Sequence, residues 1–147
     1  MGDWKKPAYF GVFDGHGGMD CADFLRDNLH SFISKDRNFP ARMEEAIKTG
    51  CEKCEKAYLD QSYMGKVDRS GSCALMAFFY GRDCYITNVG DSRAVMSSRR
   101  GQLIRELSMD HKASEDFEQK RITEAGGRIY QYLSSKAERR FETRTLI

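Results

Sequence analysis

No run of apolar residues in this 147-residue sequence approaches the length a membrane-spanning helix needs, and residues 1–13 lack the apolar core of a signal peptide. An excess of either charge is also missing. The 24 basic and 22 acidic residues leave a formal charge of +2, too small to argue for nucleic acid or an anionic membrane surface. Cysteines number five, an odd count over an ordinary globular composition, which speaks for reduced thiols in the cytoplasm or nucleus rather than a disulfide framework. Cys51-x-x-Cys54 has no second such pair and no paired histidines to complete a zinc site, and it lies well inside a helical pattern rather than at a helix start. It reads as core packing. Met1-Gly2 opens like an acylation signal, but Lys6 stands where that signal requires Ser or Thr. These exclusions leave an intracellular globular chain with the length of one domain, 1–147, and neither nucleic acid nor membrane as partner.

What is present is centred on Tyr9–Gly18, where an apolar strand, Tyr9–Phe13, runs directly into Asp14-Gly15-His16-Gly17-Gly18. A strand ends in an ionisable pair only if the turn aims that pair at solvent, a ligand or a metal, because an unpaired buried carboxylate costs several kcal/mol. The glycines permit positive φ and close approach to the backbone. Asp14 supplies a hard anionic oxygen, the Gly15 carbonyl a second oxygen, and His16 a group suited to proton transfer near neutral pH. Taken alone, the motif reads equally well as a turn carrying an exposed Asp and His.

In Met19–Ile33, Ala22, Leu25, Leu29 and Phe32 recur at helical spacing. Phe39-Pro40 opens a second helix to about Asp60, with Pro40 in its first turn and Met43, Ile47, Cys51, Cys54 and Tyr58 on one face. The two helices are expected to lie antiparallel on one face of a sheet, and Gln61–Ser70 reads as a loop. Ser72–Tyr80 is apolar on both alternating faces, as in a central strand covered on both sides. Turns at Gly81-Arg82-Asp83 and Arg99-Arg100-Gly101 punctuate further strands at Cys84–Val89, Ser92–Ser97 and Gln102–Leu107, an antiparallel meander. Asp91, after Gly90, lies between two of them, where it faces a ligand, caps the bend or pairs with Arg93. A last helix spans Ser114–Ala125, with Phe117, Ile122 and Ala125 on its apolar side and Gly126-Gly127 as its stop. Asp110-His111 beside its start reads as capping or packing rather than an acid-base pair. Ser134–Ile147 is charged and weakly patterned, a loosely held or displaced tail.

Four stretches together resemble the metal-dependent serine/threonine phosphatases of the protein phosphatase 2C family. They are Phe10-Gly11-Val12-Phe13-Asp14-Gly15-His16-Gly17-Gly18, Ser70-Gly71-Ser72-Cys73-Ala74, Asn88-Val89-Gly90-Asp91-Ser92-Arg93-Ala94-Val95, and Asp110-His111-Lys112 with Arg121-Ile122 and Gly126-Gly127. Their order and spacing follow the family from Phe10 to about Ile129, although Ala113 replaces the proline often found after Asp-His-Lys. The resemblance implies an α+β fold, part of a four-layer α-β-β-α sandwich of antiparallel sheets with two Mn²⁺ or Mg²⁺ ions between them. It implies hydrolysis of phosphoserine or phosphothreonine in protein substrates by a metal-activated water. Asp14 would bridge the two metals, the Gly15 carbonyl would complete one coordination sphere, His16 would protonate the leaving oxygen, and Asp91 would bind a third, weaker metal.

The departures matter equally. The family's upstream strand carries a phosphate-gripping Arg and an acidic pair, whereas the basic residues before Asp14 here are Lys5 and Lys6. The later Ser-Asp-Gly and Asp-Asn segments have no counterpart, and the one Asp-Gly is Asp14-Gly15. The expectation is therefore a truncated domain, its N-terminal half or somewhat more, weakly active or inactive alone and self-associating through exposed sheet edges. The alternative is a non-catalytic phosphatase-like module that binds a partner.

Overall fold

The computed structural model describes residues 4–133 and 139–143. The chain divides into two compact units, Met1–Met109 and Asp110–Ile147. The first holds β1 (Trp4–Val12), β2 (Gly15–His16), α1 (Asp20–Ser34), α2 (Met43–Tyr63), β3 (Gly71–Ser72), β4 (Ala74–Gly81), β5 (Asp83–Val89), β6 (Val95–Ser98) and β7 (Leu103–Glu106). The second holds α3 (Asp116–Glu124), β8 (Ile129–Leu133) and β9 (Arg139–Thr143). Mixed helices and antiparallel pairs make this an α+β fold, as expected. None of the described helices is long and apolar enough to cross a membrane.

In the first unit an antiparallel sheet runs in the order β1-β4-β5, so the strand with two apolar faces is indeed the central one. Alternation along β4 sends Ala74, Met76 and Phe78 into the interior. Met76 and Phe78 pack there with Leu29 and Ile33 of α1 and with Met43, Ile47 and Cys54 of α2. The helical spacing thus has a physical cause: each helix buries one stripe on the sheet. The helices meet closely at Gly50, where an added Cβ would stand 2.5 Å from Ile33 Cγ1. Burial raises the thiols of Cys51 and Cys54, to about 11 and about 12, consistent with core packing of that pair.

Two local features differ from expectation. α2 begins at Met43, and Pro40 lies in the preceding turn rather than the helix. There Asp36 accepts bonds from the Asn38 N–H at 3.0 Å and from Lys53 Nζ at 2.9 Å, and the Arg42 N–H reaches the Asn38 carbonyl at 2.7 Å. The side-chain and backbone bonds of this turn delay helix entry. The meander also divides: β4 and β5 form a hairpin, but β6 and β7 make a separate two-stranded sheet. Gly90, at φ 103°, turns the chain out of β5. The turn from β6 to β7 places both Arg99 and Arg100 in the left-handed region, at φ 51° and 56°, where a residue with a Cβ costs about 1–2 kcal/mol.

In the second unit Gly126, at φ 80°, stops α3 as expected, and Ile122 is buried. Phe117 instead faces solvent, and Glu118 takes an interior place, bonded to Arg121. Because that pair satisfies the carboxylate, a charged residue occupies a position the apolar pattern had given to Phe117. The residue flanking the start of α3 is Glu115, with no side-chain cap, and the largely buried Asp110 side chain pairs with Lys112 at 3.1 Å, which fits the packing half of the Asp110-His111 expectation. Of the segment Ser134–Ile147, Arg139–Thr143 pairs with β8 and the rest lies outside the described residues.

Candidate active site

The site is built where β1 ends. Its last residues lead to Asp14, whose carbonyl accepts the Cys73 N–H at 2.9 Å. The next rungs are β2 against β3, Gly15 opposite Ser72 and His16 opposite Gly71. A Cβ on Gly71 would stand 2.5 Å from His16 Nε2, so the imidazole lies directly over that glycine. Gly17 and Gly18, at φ 70° and 148°, then turn the chain into α1.

Asp91 follows β5, which flanks β4 on the edge opposite β1. Gly90 packs so tightly on Cys73 that a Cβ there would meet its sulfur at 2.5 Å. Cys73 Sγ donates to Asp91 Oδ1 at 3.3 Å. Partial burial pushes the Cys73 thiol up, which keeps its proton available for that bond. One residue therefore holds Asp14 by its backbone N–H and Asp91 by its side chain. Asn88 steadies the Asp91 loop by donating Nδ2 to the Gly90 carbonyl at 3.0 Å and to the Met109 carbonyl at 2.8 Å.

Sequence reasoning missed the roles of Cys73 and Asn88, and it missed a second brace. Ser70 Oγ accepts the Cys21 N–H at 3.0 Å and shares a 2.8 Å bond with Tyr58 Oη, while the Asp68 N–H donates to Asp20 Oδ2 at 2.8 Å. These bonds tie the loop before β3 to the start of α1 and the end of α2. The available signal was Ser70-Gly71-Ser72-Cys73 itself, a polar run ahead of an apolar strand. Asp14, Gly15, His16 and Asp91 are all exposed, and the carboxylates and carbonyl are hard oxygen donors. They suit Mg²⁺ or Mn²⁺ in kind but not in number. Among the described residues, no three His, Cys, Asp or Glu side chains come close enough to hold a metal together.

Comparison with known proteins settles the lineage. The family model of protein phosphatase 2C matches residues 2–142. The chain belongs to the protein phosphatase 2C family. It is 46% identical over 123 residues to Probable protein phosphatase 2C 27 of Arabidopsis thaliana, covering 84% of this chain and 31% of that protein. It is 42% identical over 123 residues to Probable protein phosphatase 2C 57 of Oryza sativa subsp. japonica, covering 84% and 33%. The serine-threonine phosphatase 2C of Toxoplasma gondii superposes with a TM-score of 0.76 at 18% identity, over 92% of this chain and 50% of that one. A C. elegans sex determining protein gives a TM-score of 0.72 at 25% identity, over 92% and 33%. The chain thus spans about a third of the length of these curated relatives and half or less of these solved structures. The protein phosphatase 2C fold agrees with the helices and antiparallel sheets described above, and the motif residues Asp14–Gly18 and Gly90-Asp91 fall within the matched range.

Proposed function

We propose that this chain provides the Asp14–His16 part of a Mn²⁺- or Mg²⁺-dependent phosphatase acting on phosphoserine and phosphothreonine in proteins of the cytoplasm or nucleus. The observation that carries the reading is Cys73, which joins the Asp14 carbonyl to the Asp91 carboxylate beside the rung bearing His16. Asp14 and the Gly15 carbonyl would hold the shared metals, and Asp91 an outer one. When bound, such dications supply Lewis-acid activation of water and neutralise charge on the phosphoryl group. His16, exposed over Gly71, would give its proton to the departing serine or threonine oxygen. The Cys73 bonds keep the two acidic positions in register.

The test is hydrolysis of p-nitrophenyl phosphate and of a phosphothreonine peptide under Mn²⁺. Residues 1–147 alone are expected to show negligible turnover, and extension with the Ser-Asp-Gly and Asp-Asn segments of a homologous phosphatase is expected to restore it. Asp14→Asn should then lower rate and metal dependence together, by on the order of a hundredfold. His16→Gln should mainly slow substrates with poor leaving groups, since an acidic leaving oxygen needs little protonation. Robust activity from residues 1–147, insensitive to Asp14→Asn, would sink this reading. A second reading, a non-catalytic phosphatase-like binding module, draws on the lack of a three-ligand cluster among the described residues. It predicts no turnover even in the extended chain.

A further inference from the structure

The β6–β7 hairpin concentrates positive charge. Residues 92–109 carry Arg93, Arg99, Arg100 and Arg105 against the single acid Glu106, while the whole chain is only +2, so the rest of the molecule is net negative. Arg93 Nη1 pairs with Glu106 at 3.2 Å at the hairpin base, beside Asp91. That base is fixed further by the Ala94 N–H to Ser108 Oγ at 2.8 Å and the Leu107 N–H to the Ala94 carbonyl at 2.9 Å. Arg99, Arg100 and Arg105 are exposed and make no ion pair or side-chain hydrogen bond among the described residues.

Conformation sharpens the case. A left-handed turn of this kind favours Asn or Gly, residues that adopt it at little cost, yet arginine stands at both positions. The turn gains nothing locally from those guanidinium groups. Residues held in this region of backbone space cluster at active sites, ligand clamps and switch segments. Planar guanidinium forks pair bidentately with carboxylate and phosphate oxygens.

We infer that the Arg99-Arg100 tip, with Arg105, is a docking surface for an acidic segment of the protein substrate, flanking the residue to be dephosphorylated. This rests on the phosphatase reading, because the site at Asp91 sets where the substrate lies. Arg99 stands eight positions after Asp91, and an extended chain spans at most about 3.3–3.6 Å per residue, so the backbone of the tip lies within about 29 Å of Asp91. A substrate segment bound in extended form covers that distance in about eight residues, which brings acidic residues up to about eight positions from the phosphorylated one within reach of the tip.

Fluorescence anisotropy with residues 1–147 and two phosphothreonine peptides tests this, one carrying four Asp or Glu within eight residues of the phosphothreonine and the other Gln in their place. At low salt the acidic peptide should bind about fivefold or more tighter, an advantage that shrinks as added NaCl screens the tip. Arg99→Asn with Arg100→Gly should abolish the advantage while raising Tm, because it removes charge and strain together. Arg99→Lys with Arg100→Lys should keep much of it. Equal binding of both peptides by the natural chain, or an acidic advantage untouched by the Asn-Gly change, would overturn the inference. An intact acidic advantage in a chain whose extended form never turns over would sink the phosphatase reading and leave the docking surface standing.

Discussion

On one face of the β1-β4-β5 sheet, Met76 and Phe78 are buried at 1% and 3% exposure among helix side chains, while on the other Phe10 and Val12 stand 60% and 61% exposed. The residue types are alike. Opposite Phe10 and Val12 on β4 lie Ala77 and Leu75, and beyond Ala77 lies Ile86 of β5, so the open face is as apolar as the covered one. Alternation therefore reports that a strand is apolar on both sides but not what covers each side. Exposed apolar faces of this kind drive association.

Substitutions on the two faces should separate them. The largest effect is expected from Met76→Ala, a loss of about 3 kcal/mol in chemical denaturation, since it leaves a cavity between sheet and helices. A loss below about 1 kcal/mol would mean the helix-covered face is loosely packed. Gly50→Ala should cost about 1–3 kcal/mol by forcing α2 away from Ile33.

A smaller, pH-dependent effect belongs to Asp36, also on the helix side. Its hydrogen bond from Lys53, aided by the Asn38 N–H, holds its carboxyl below the usual carboxylate range. The unfolded chain then binds the proton more readily, so the stabilisation is present above about pH 4 and is lost as pH falls through the depressed value. Asp36→Asn should melt below the natural chain at pH 7, with the gap closing on acidification. A gap unchanged down to pH 2 would count against the pairing.

The smallest change in stability should come from the open face. Phe10→Ser is expected to shift unfolding by less than about 0.5 kcal/mol, yet to weaken self-association measured by sedimentation. A large loss of stability would show that this face is already covered.

Much of this arrangement was legible in the sequence. Leu29, Met43, Ile47, Cys54 and Tyr58 announced the helix stripes, and each is buried. Glycine spacing marked the turn at Asp14–Gly18. What escaped notice depends on contacts between distant residues: the thiol of Cys73 reaching Asp91, Ser70 bonding Tyr58 and the start of α1, and the Asn88 amide meeting two carbonyls. No local period encodes such bonds. Phe117 and Glu118 exchanged places for a similar reason, because an arginine three residues along made the carboxylate cheaper to bury than the pattern suggests.

The cysteines carry one more consequence. All five thiols are free and held above the ordinary value by burial, Cys21 and Cys51 to about 11 and Cys54 to about 12. Alkylating reagents attack the thiolate, so at neutral pH folded Cys54, its thiol pushed up by burial, should react more slowly than an unperturbed thiol, before steric shielding is counted. Modification at that position then follows transient separation of α2 from the sheet, and its rate reads the free energy of that opening. The chain contains its own clock for how often its helix layer lifts.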